Sequence, residues 1–385
     1  FRNSKTNAVE GALATKWEQV KPDTWRYTLR KDVKFHNGEP FNADAVVYSL
    51  NRAGNKELAS KVQSEWPAGG TAAKVDDFTV DVTSAGPDPV QPLRMQFPPV
   101  VAPKWAKENP EEVPIKLIGT GPYKLVEWNK GQFIKLTAVD DYWGGAPNIK
   151  DATLLWRGET AVRTAMVKTG EADWAYNIAP EDTKNVPKYS AVSATEIMSV
   201  RLDDQNAVLK DKRVRLAMNL AVDKDNIINK LLSGFVEPAK GQILGDYVLG
   251  FNKDLKPYPY DLDQAKKLVA EAKAAGVPTD SVELDYWAAK GRFPRLEEMS
   301  ESMADSWTKI GLKPKIVITE SARWREMWYS VLPGQTRAAL MVWGAGNELG
   351  DSARNYDTQT ACDGRSSTYC NKALDERGKK AAAAT

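Results

Sequence analysis

Residues 13–51 read LATKWEQVKPDTWRYTLRKDVKFHNGEPFNADAVVYSLN. Within them Trp25, Tyr27 and Leu29 alternate with Thr24, Arg26 and Thr28, the two-residue period of a strand buried on one face. His36-Asn37-Gly38-Glu39-Pro40 then breaks that period with turn-forming residues. After the turn, Asn42 is placed to cap a helix, with Asp44 in its first turn and Ala45, Val46, Tyr48 and Leu50 supplying apolar faces. A second long stretch opens at residue 118 with IGTGPYKLVEW, passes through DDYWGGAP and closes at 166–174 on MVKTGEADW. In it Gly119 and Gly121 punctuate ahead of a strand through Tyr123, Leu125 and Val126, and Phe133, Ile134 and Leu136 start a returning strand. Asp141-Tyr142-Trp143-Gly144-Gly145 ends that strand in a loop. Neither stretch has the spacing of a catalytic or phosphate-binding motif.

Downstream of these stretches the period changes. A helix is expected from about Glu159 to Lys168 with Ala161, Ala165 and Met166 on its buried face, and others over Val214–Ala221, after Asp225, over Leu262–Ala275 and over Arg295–Lys309. Between and beyond them run the apolar strands 282–287, 315–318 and 338–343. Strands alternating with helices imply an α/β lobe whose sheet is largely parallel. In such sheets ligands gather at the carboxyl ends of the strands, which draws attention to Trp287 and Trp343.

Composition removes several function classes. The chain has 385 residues, 42% of them hydrophobic, enough for two or three buried cores. Its 53 basic and 51 acidic residues are interspersed, so there is no nucleic-acid footprint, and the basic run at 210–215 reads as a solvated helix start. No apolar run reaches the ~18 residues of a membrane span. With His36 as the sole histidine, placed in a turn, Ser-His-Asp, Cys-His and His-metal sites are disfavoured together. Gly119-Thr120-Gly121 lacks the rest of a dinucleotide or P-loop motif. The neighbouring acids Glu297-Glu298, Asp203-Asp204 and Asp76-Asp77 point in different directions on a helix or strand and make poor catalytic dyads. No metal or cofactor is expected.

The quoted blocks, in their order, resemble the family-5 extracellular solute-binding proteins, the dipeptide-, oligopeptide- and nickel-binding components of ABC importers. That family carries a LAxxW…YT-hydrophobic-LRxxVKFH[DN]G segment, a later GTGPY, a DYWGG loop and a GExD ending a helix. The resemblance continues through Val214-Arg215-Leu216-Ala217 and Ala221-Val222-Asp223-Lys224 to Tyr260-Asp261 and Ile310-Gly311-Leu312, nearly the whole chain. It implies an α/β, two-lobed periplasmic-binding-protein fold of the class with an extra domain, with mixed and parallel sheets flanked by helices and a ligand cleft between the lobes. Residues 1–118 would be the extra strand-rich domain of the first lobe, 119–200 the part leading to the hinge and 201–385 the second α/β lobe. Against the family pattern the opening before Leu13 is short and the pattern continues beyond residue 385, so the sequence is expected to be a fragment at both ends, with any export signal removed or outside it.

The function this resemblance implies is capture of a small organic solute, a peptide or peptide-like molecule, for permease and ATPase subunits of an importer. The protein would act as a periplasmic monomer without nucleic-acid partners and without enzymatic activity. A periplasmic peptide sensor or chaperone serving a receptor is the alternative, and a glycosidase-like enzyme comes last. Cys362 and Cys370 read as a short-loop disulfide worth about 2 to 3 kcal/mol, as in many dipeptide-binding relatives, with two unpaired thiols as the other reading.

Candidate ligand-binding residues are led by Trp343, which ends a strand and enters the glycine-rich loop containing Asn347 and Glu348. Arg292, in the loop after Trp287, could clamp a carboxylate, the role of an arginine at the matching place in dipeptide-binding relatives. Tyr176 and Asn177 follow the GExD helix end as further candidates. Peptide-binding relatives place an ammonium-binding aspartate three positions after the equivalent tryptophan, where this chain has Gly346. Either Glu348 or Asp351 replaces it, or the solute is a blocked, cyclic or non-peptide organic acid held by Arg292, the reading preferred from sequence.

Overall fold

The computed structural model describes residues 8–55, 70–191, 196–330, 337–347 and 349–382. The chain divides into two compact units, one running to Trp156 and the other spanning Arg157–Lys379. The boundary expected near residue 118 therefore lies inside the first unit, and residue 200 lies within a strand of the second.

The first unit holds two antiparallel sheets. Strands β1 (Ala14–Lys21), β2 (Thr24–Leu29), β3 (Thr71–Asp76) and β4 (Thr79–Thr83) are ordered β1-β2-β4-β3. Tyr27 and Leu29 on β2, with Val80 and Val82 on β4, turn one face into a core that Phe35, Phe41 and the helix Ala43–Gly54 complete. That helix starts where the sequence places it: the Asn42 side chain accepts from the Ala45 N–H at 3.1 Å, a cap worth about 1 kcal/mol. Ala45, Val46 and Leu50 are buried as expected, and Tyr48 is only partly so. The second sheet, β5 (Tyr123–Asn129), β6 (Phe133–Ala138) and β7 (Asp151–Leu155), is a meander ordered β5-β6-β7. The Asp-Tyr-Trp-Gly-Gly loop folds back onto the Gly-Thr-Gly turn, Trp143 Nε1 donating to the Thr120 carbonyl at 3.0 Å.

In the second unit a four-stranded sheet comprises β8 (Glu196–Leu202), β9 (Glu283–Ala289), β10 (Lys313–Thr319) and β11 (Leu340–Gly346), ordered β10-β9-β11-β8. β9 is parallel to β10 and β11, while β8 closes the edge antiparallel to β11, which confirms a largely parallel sheet. Helices Lys212–Leu220, Leu262–Ala274 and Leu296–Lys309 pack on it through Val214, Leu268, Met299 and Trp307. Trp307 meets Tyr286 of β9 edge-on at 5.1 Å and satisfies its indole N–H on the Met218 carbonyl.

One burial expectation is corrected. Helix Thr160–Thr169 forms, but Ala161 and Ala165 are exposed, and its buried residues are Thr164 and Met166. The helix turns its polar Thr164 inward because that hydroxyl has partners there, the Thr160 carbonyl at 3.0 Å and Asp182 at 3.2 Å. An apolar-face count gives no weight to a satisfied hydroxyl. No helix among the described residues is long and apolar enough to cross a membrane.

Candidate functional site

Because β9, β10 and β11 run parallel, their carboxyl ends share one edge of the sheet, and antiparallel β8 begins at the same edge, with Glu196 opposite Gly346. β11 is buried on both faces and sorts its side chains by the strand period. Leu340 and Val342 enter the main core, whereas Met341, Trp343 and Ala345 join a separate cluster with Met327 and Trp328.

That second cluster is an aromatic stack. Trp324 and Trp328, one turn apart on the helix Ser321–Trp328, stack at 5.2 Å with 16° between planes, and Trp343 meets Trp328 at 5.0 Å. Trp287 packs against the same group, and its Nε1 donates to Asp285 at 2.6 Å. The other oxygen of Asp285 accepts from the Ala339 N–H, holding β9 beside the start of β11. The indole nitrogen of Trp324 is shielded from solvent and has no acceptor among the described residues. A buried N–H without a partner is costly.

Arg201, opposite Met341 on β8, lies 4.1 Å from the centre of the Trp328 ring. One of its nitrogens donates to the carbonyls of Trp328 (2.8 Å) and Ser366 (3.0 Å), another to the Met341 sulfur. Burial pushes its guanidinium down to about 10; Asp203 opposes that shift and Arg337 adds to it. Asp203 is itself held by Arg337 in a two-pronged pair at 2.7 and 2.9 Å. Ser366 belongs to the loop closed by the Cys362–Cys370 disulfide, so the oxidised reading of the two cysteines holds.

The residues singled out from sequence fall into three groups. Trp343 and Trp287 come together in the aromatic cluster, Trp343 only 8% exposed. Arg292 reaches the same sheet edge, where its Nη2 donates to Glu196 at 2.6 Å and its guanidinium lies over Phe293. Asn347 is buried and its polar atoms turn inward, the amide donating to the Asp351 carbonyl and the Asn355 side chain and the oxygen accepting from the Gly350 N–H. Asp351 caps the following helix through the Ala353 N–H. Tyr176 is 69% exposed and stacks on Trp174; Asn177 adopts a positive φ of 58° and accepts from Arg163. Glu348 lies outside the described residues.

Trp324, Trp328, Arg201 and Glu196 were not among the candidates. The first two carried a signal, tryptophans four apart on a helix. The polar pair carried none, since their roles appear only through the β8–β11 register. Among the described residues no group of three or more His, Cys, Asp or Glu is arranged to hold a metal ion.

Comparison with known proteins agrees with this architecture. The family described as bacterial extracellular solute-binding proteins, family 5 Middle, matches residues 8–365. The chain is 28% identical over 396 residues to the dipeptide-binding protein of Escherichia coli K12, covering 94% of this chain and 72% of that protein. It is 32% identical over 284 residues to the glutathione-binding protein GsiB of Pectobacterium atrosepticum, covering 71% of this chain and 54% of GsiB, so it spans about half the length of that relative. In fold it is similar to the oligopeptide-binding protein AppA of Bacillus subtilis, solved with a nonapeptide. There the TM-score is 0.82 at 22% identity, over all of this chain and 80% of AppA.

Proposed function

The chain belongs to family 5 of the bacterial extracellular solute-binding proteins, and from that premise we propose that it captures a small organic solute, a peptide or peptide-like molecule, for an ABC importer. It would act outside the cytoplasm, deliver its cargo to permease and ATPase subunits, and make or break no bond in it. The observation that carries this reading is the carboxyl edge of the second unit's sheet. The half-exposed Arg292 guanidinium lies at that edge, and a stack of tryptophans covers one face of the same sheet. Broad aromatic faces with a few fixed polar groups are what an organic solute needs to be held, and they offer no nucleophile with which to attack it. Relatives named for dipeptide and glutathione binding support cargo of that chemistry.

The test is mass spectrometry of the molecule that co-purifies with the protein, followed by calorimetry with the identified compound. A bound organic molecule released intact on denaturation supports the reading. Steady conversion of that compound by pure protein, abolished by one acidic substitution, overturns it.

A further inference from the structure

The loop closed by the Cys362–Cys370 disulfide has its bond near the surface and its contacts in the interior. Cys370 is exposed and Cys362 half-buried, whereas Ser366, Ser367 and Thr368 between them are only 2%, 8% and 4% exposed. The buried residues do the holding. Thr368 donates from Oγ1 to the Leu202 carbonyl at 2.8 Å and accepts from the Asp204 N–H at 3.1 Å, so the loop fastens the end of β8. Ser366 reaches the Thr358 carbonyl through both its N–H and its hydroxyl, and its own carbonyl accepts from Arg201 Nη1 at 3.0 Å. The same nitrogen donates to the Trp328 carbonyl, and the guanidinium lies over that ring. At the loop's start the Cys362 N–H donates to Asp375, which also accepts from the Tyr356 hydroxyl. A staple needs no path to solvent, and a thiolate exchanges only with a disulfide sulfur that it can reach. Here the bond within reach of solvent closes the loop whose carbonyl holds the guanidinium seated on the tryptophan stack.

We infer that the Cys362–Cys370 loop is a thiol-responsive latch, opened by a dithiol oxidoreductase and coupled through Ser366 and Arg201 to the packing of Trp328. A donor thiolate attacks the sulfur of the exposed Cys370 and forms a mixed disulfide with it, while the Cys362 sulfur leaves as a thiolate and takes up a proton. The donor's second thiolate then attacks its partner sulfur in that mixed disulfide and frees Cys370, which is protonated in turn. Two electrons pass from donor to protein, and the donor ends as a disulfide. With the ring open, β8 loses its fastening to Thr368, and Arg201 keeps the Trp328 carbonyl but loses that of Ser366. The loop is the two-state element, docked when oxidised and released when reduced. The latch does not depend on which solute is carried.

Dithiothreitol applied to the folded protein, followed by iodoacetamide and mass measurement, tests this. Both cysteines are expected to be alkylated without denaturant, while circular dichroism still shows a cooperative melt. The Asp204 and Ser366 amides should exchange at least about tenfold faster than in the oxidised protein, with the amides between β9 and β10 unchanged. Tryptophan emission should shift on reduction and return on reoxidation, and in Arg201→Met reduction should proceed with no further shift. The double variant Cys362→Ser, Cys370→Ser should match the reduced wild type, and the dithiothreitol series decides alone if that variant does not fold. Alkylation only after denaturation, or reduction that leaves exchange and emission unchanged, overturns the inference. Reduction that abolishes the cooperative melt also overturns it, by making the disulfide a plain staple. None of these outcomes touches the transport reading, which stands or falls on the co-purified molecule.

Discussion

His36 donates from Nε2 to the carbonyl oxygen of Gly121 at 2.9 Å, and its backbone N–H donates to the Gly119 carbonyl at the same distance. The two stretches that make the sequence recognisable are thus clasped to each other, the Phe-His-Asn-Gly turn against the Gly-Thr-Gly turn. The histidine works as a tie between turns, consistent with the turn role read from the sequence. His36→Ala should lower stability by about 1 kcal/mol while leaving solute affinity unchanged, as read by denaturant unfolding and calorimetry. A lost affinity at unchanged stability would contradict this.

Trp343→Ala removes a ring packed against Trp328 and only 8% exposed. Stability should fall by roughly 3 kcal/mol, and affinity by roughly 2 kcal/mol if the ring also anchors the solute. Urea titration reads the first and calorimetry the second. A stability loss alone would make the indole a packing element.

Arg201 ties β8 to the helix that ends at Trp328, to Met341 and to the disulfide loop. Arg201→Met keeps the stem and removes the donors. It should cost about 2 kcal/mol and shift the tryptophan emission, because the cation leaves the face of Trp328. Unchanged emission would mean that the guanidinium does not sense the ring.

Thiol counting under denaturing, non-reducing conditions should find none, since Cys362 and Cys370 are joined. Replacing both by serine should lower stability by about 2 to 3 kcal/mol. The loop is also sewn to β8 by Thr368 Oγ1 on the Leu202 carbonyl at 2.8 Å, so its residues should lose hydrogen-exchange protection together.

Acid should loosen the first unit at a defined place. The Arg26 guanidinium, in a two-pronged bond across β2 and β4, holds the Asp81 carboxyl below its ordinary range, against the opposing effect of burial. A depressed folded value means the contribution is present above the unfolded carboxylate range, near 4, and is lost as pH falls through the folded value. Asp81→Asn should therefore flatten the acid limb of a stability–pH profile and leave its neutral and alkaline parts parallel to the wild type. An acid limb as steep as the wild type's would show that other carboxylates set it.

The elements with strong local signals were legible. The alternation of Trp25, Tyr27 and Leu29 became β2, and the Asn42 cap held its helix. The later strands and helices fell close to their expected positions, because each carries its period within a few residues. The site was legible in part. Trp343 and Trp287 share a cluster, yet the partner of Arg292 was invisible, since Glu196 is 96 residues away in sequence and meets it only through the β8–β11 register. Asn347 has the composition of a ligand contact, but its amide is engaged within its own loop, and composition does not say where a polar group spends its bonds.

β8 stands at the edge of its sheet and pairs only with β11 among the described strands, while the Arg201 partners lie 127, 140 and 165 residues further on. A polypeptide appears from its amino end, so this strand is made long before anything exists for it to pair with. Until residue 340 has been added, it remains a bare hydrogen-bonding edge, open to pairing with the wrong chain. Such distant pairing is also slow to form, because the intervening loop must be closed first. The second unit's sheet therefore cannot close during most of its own synthesis, and the residues that complete it in space are also the ones that set when it can fold.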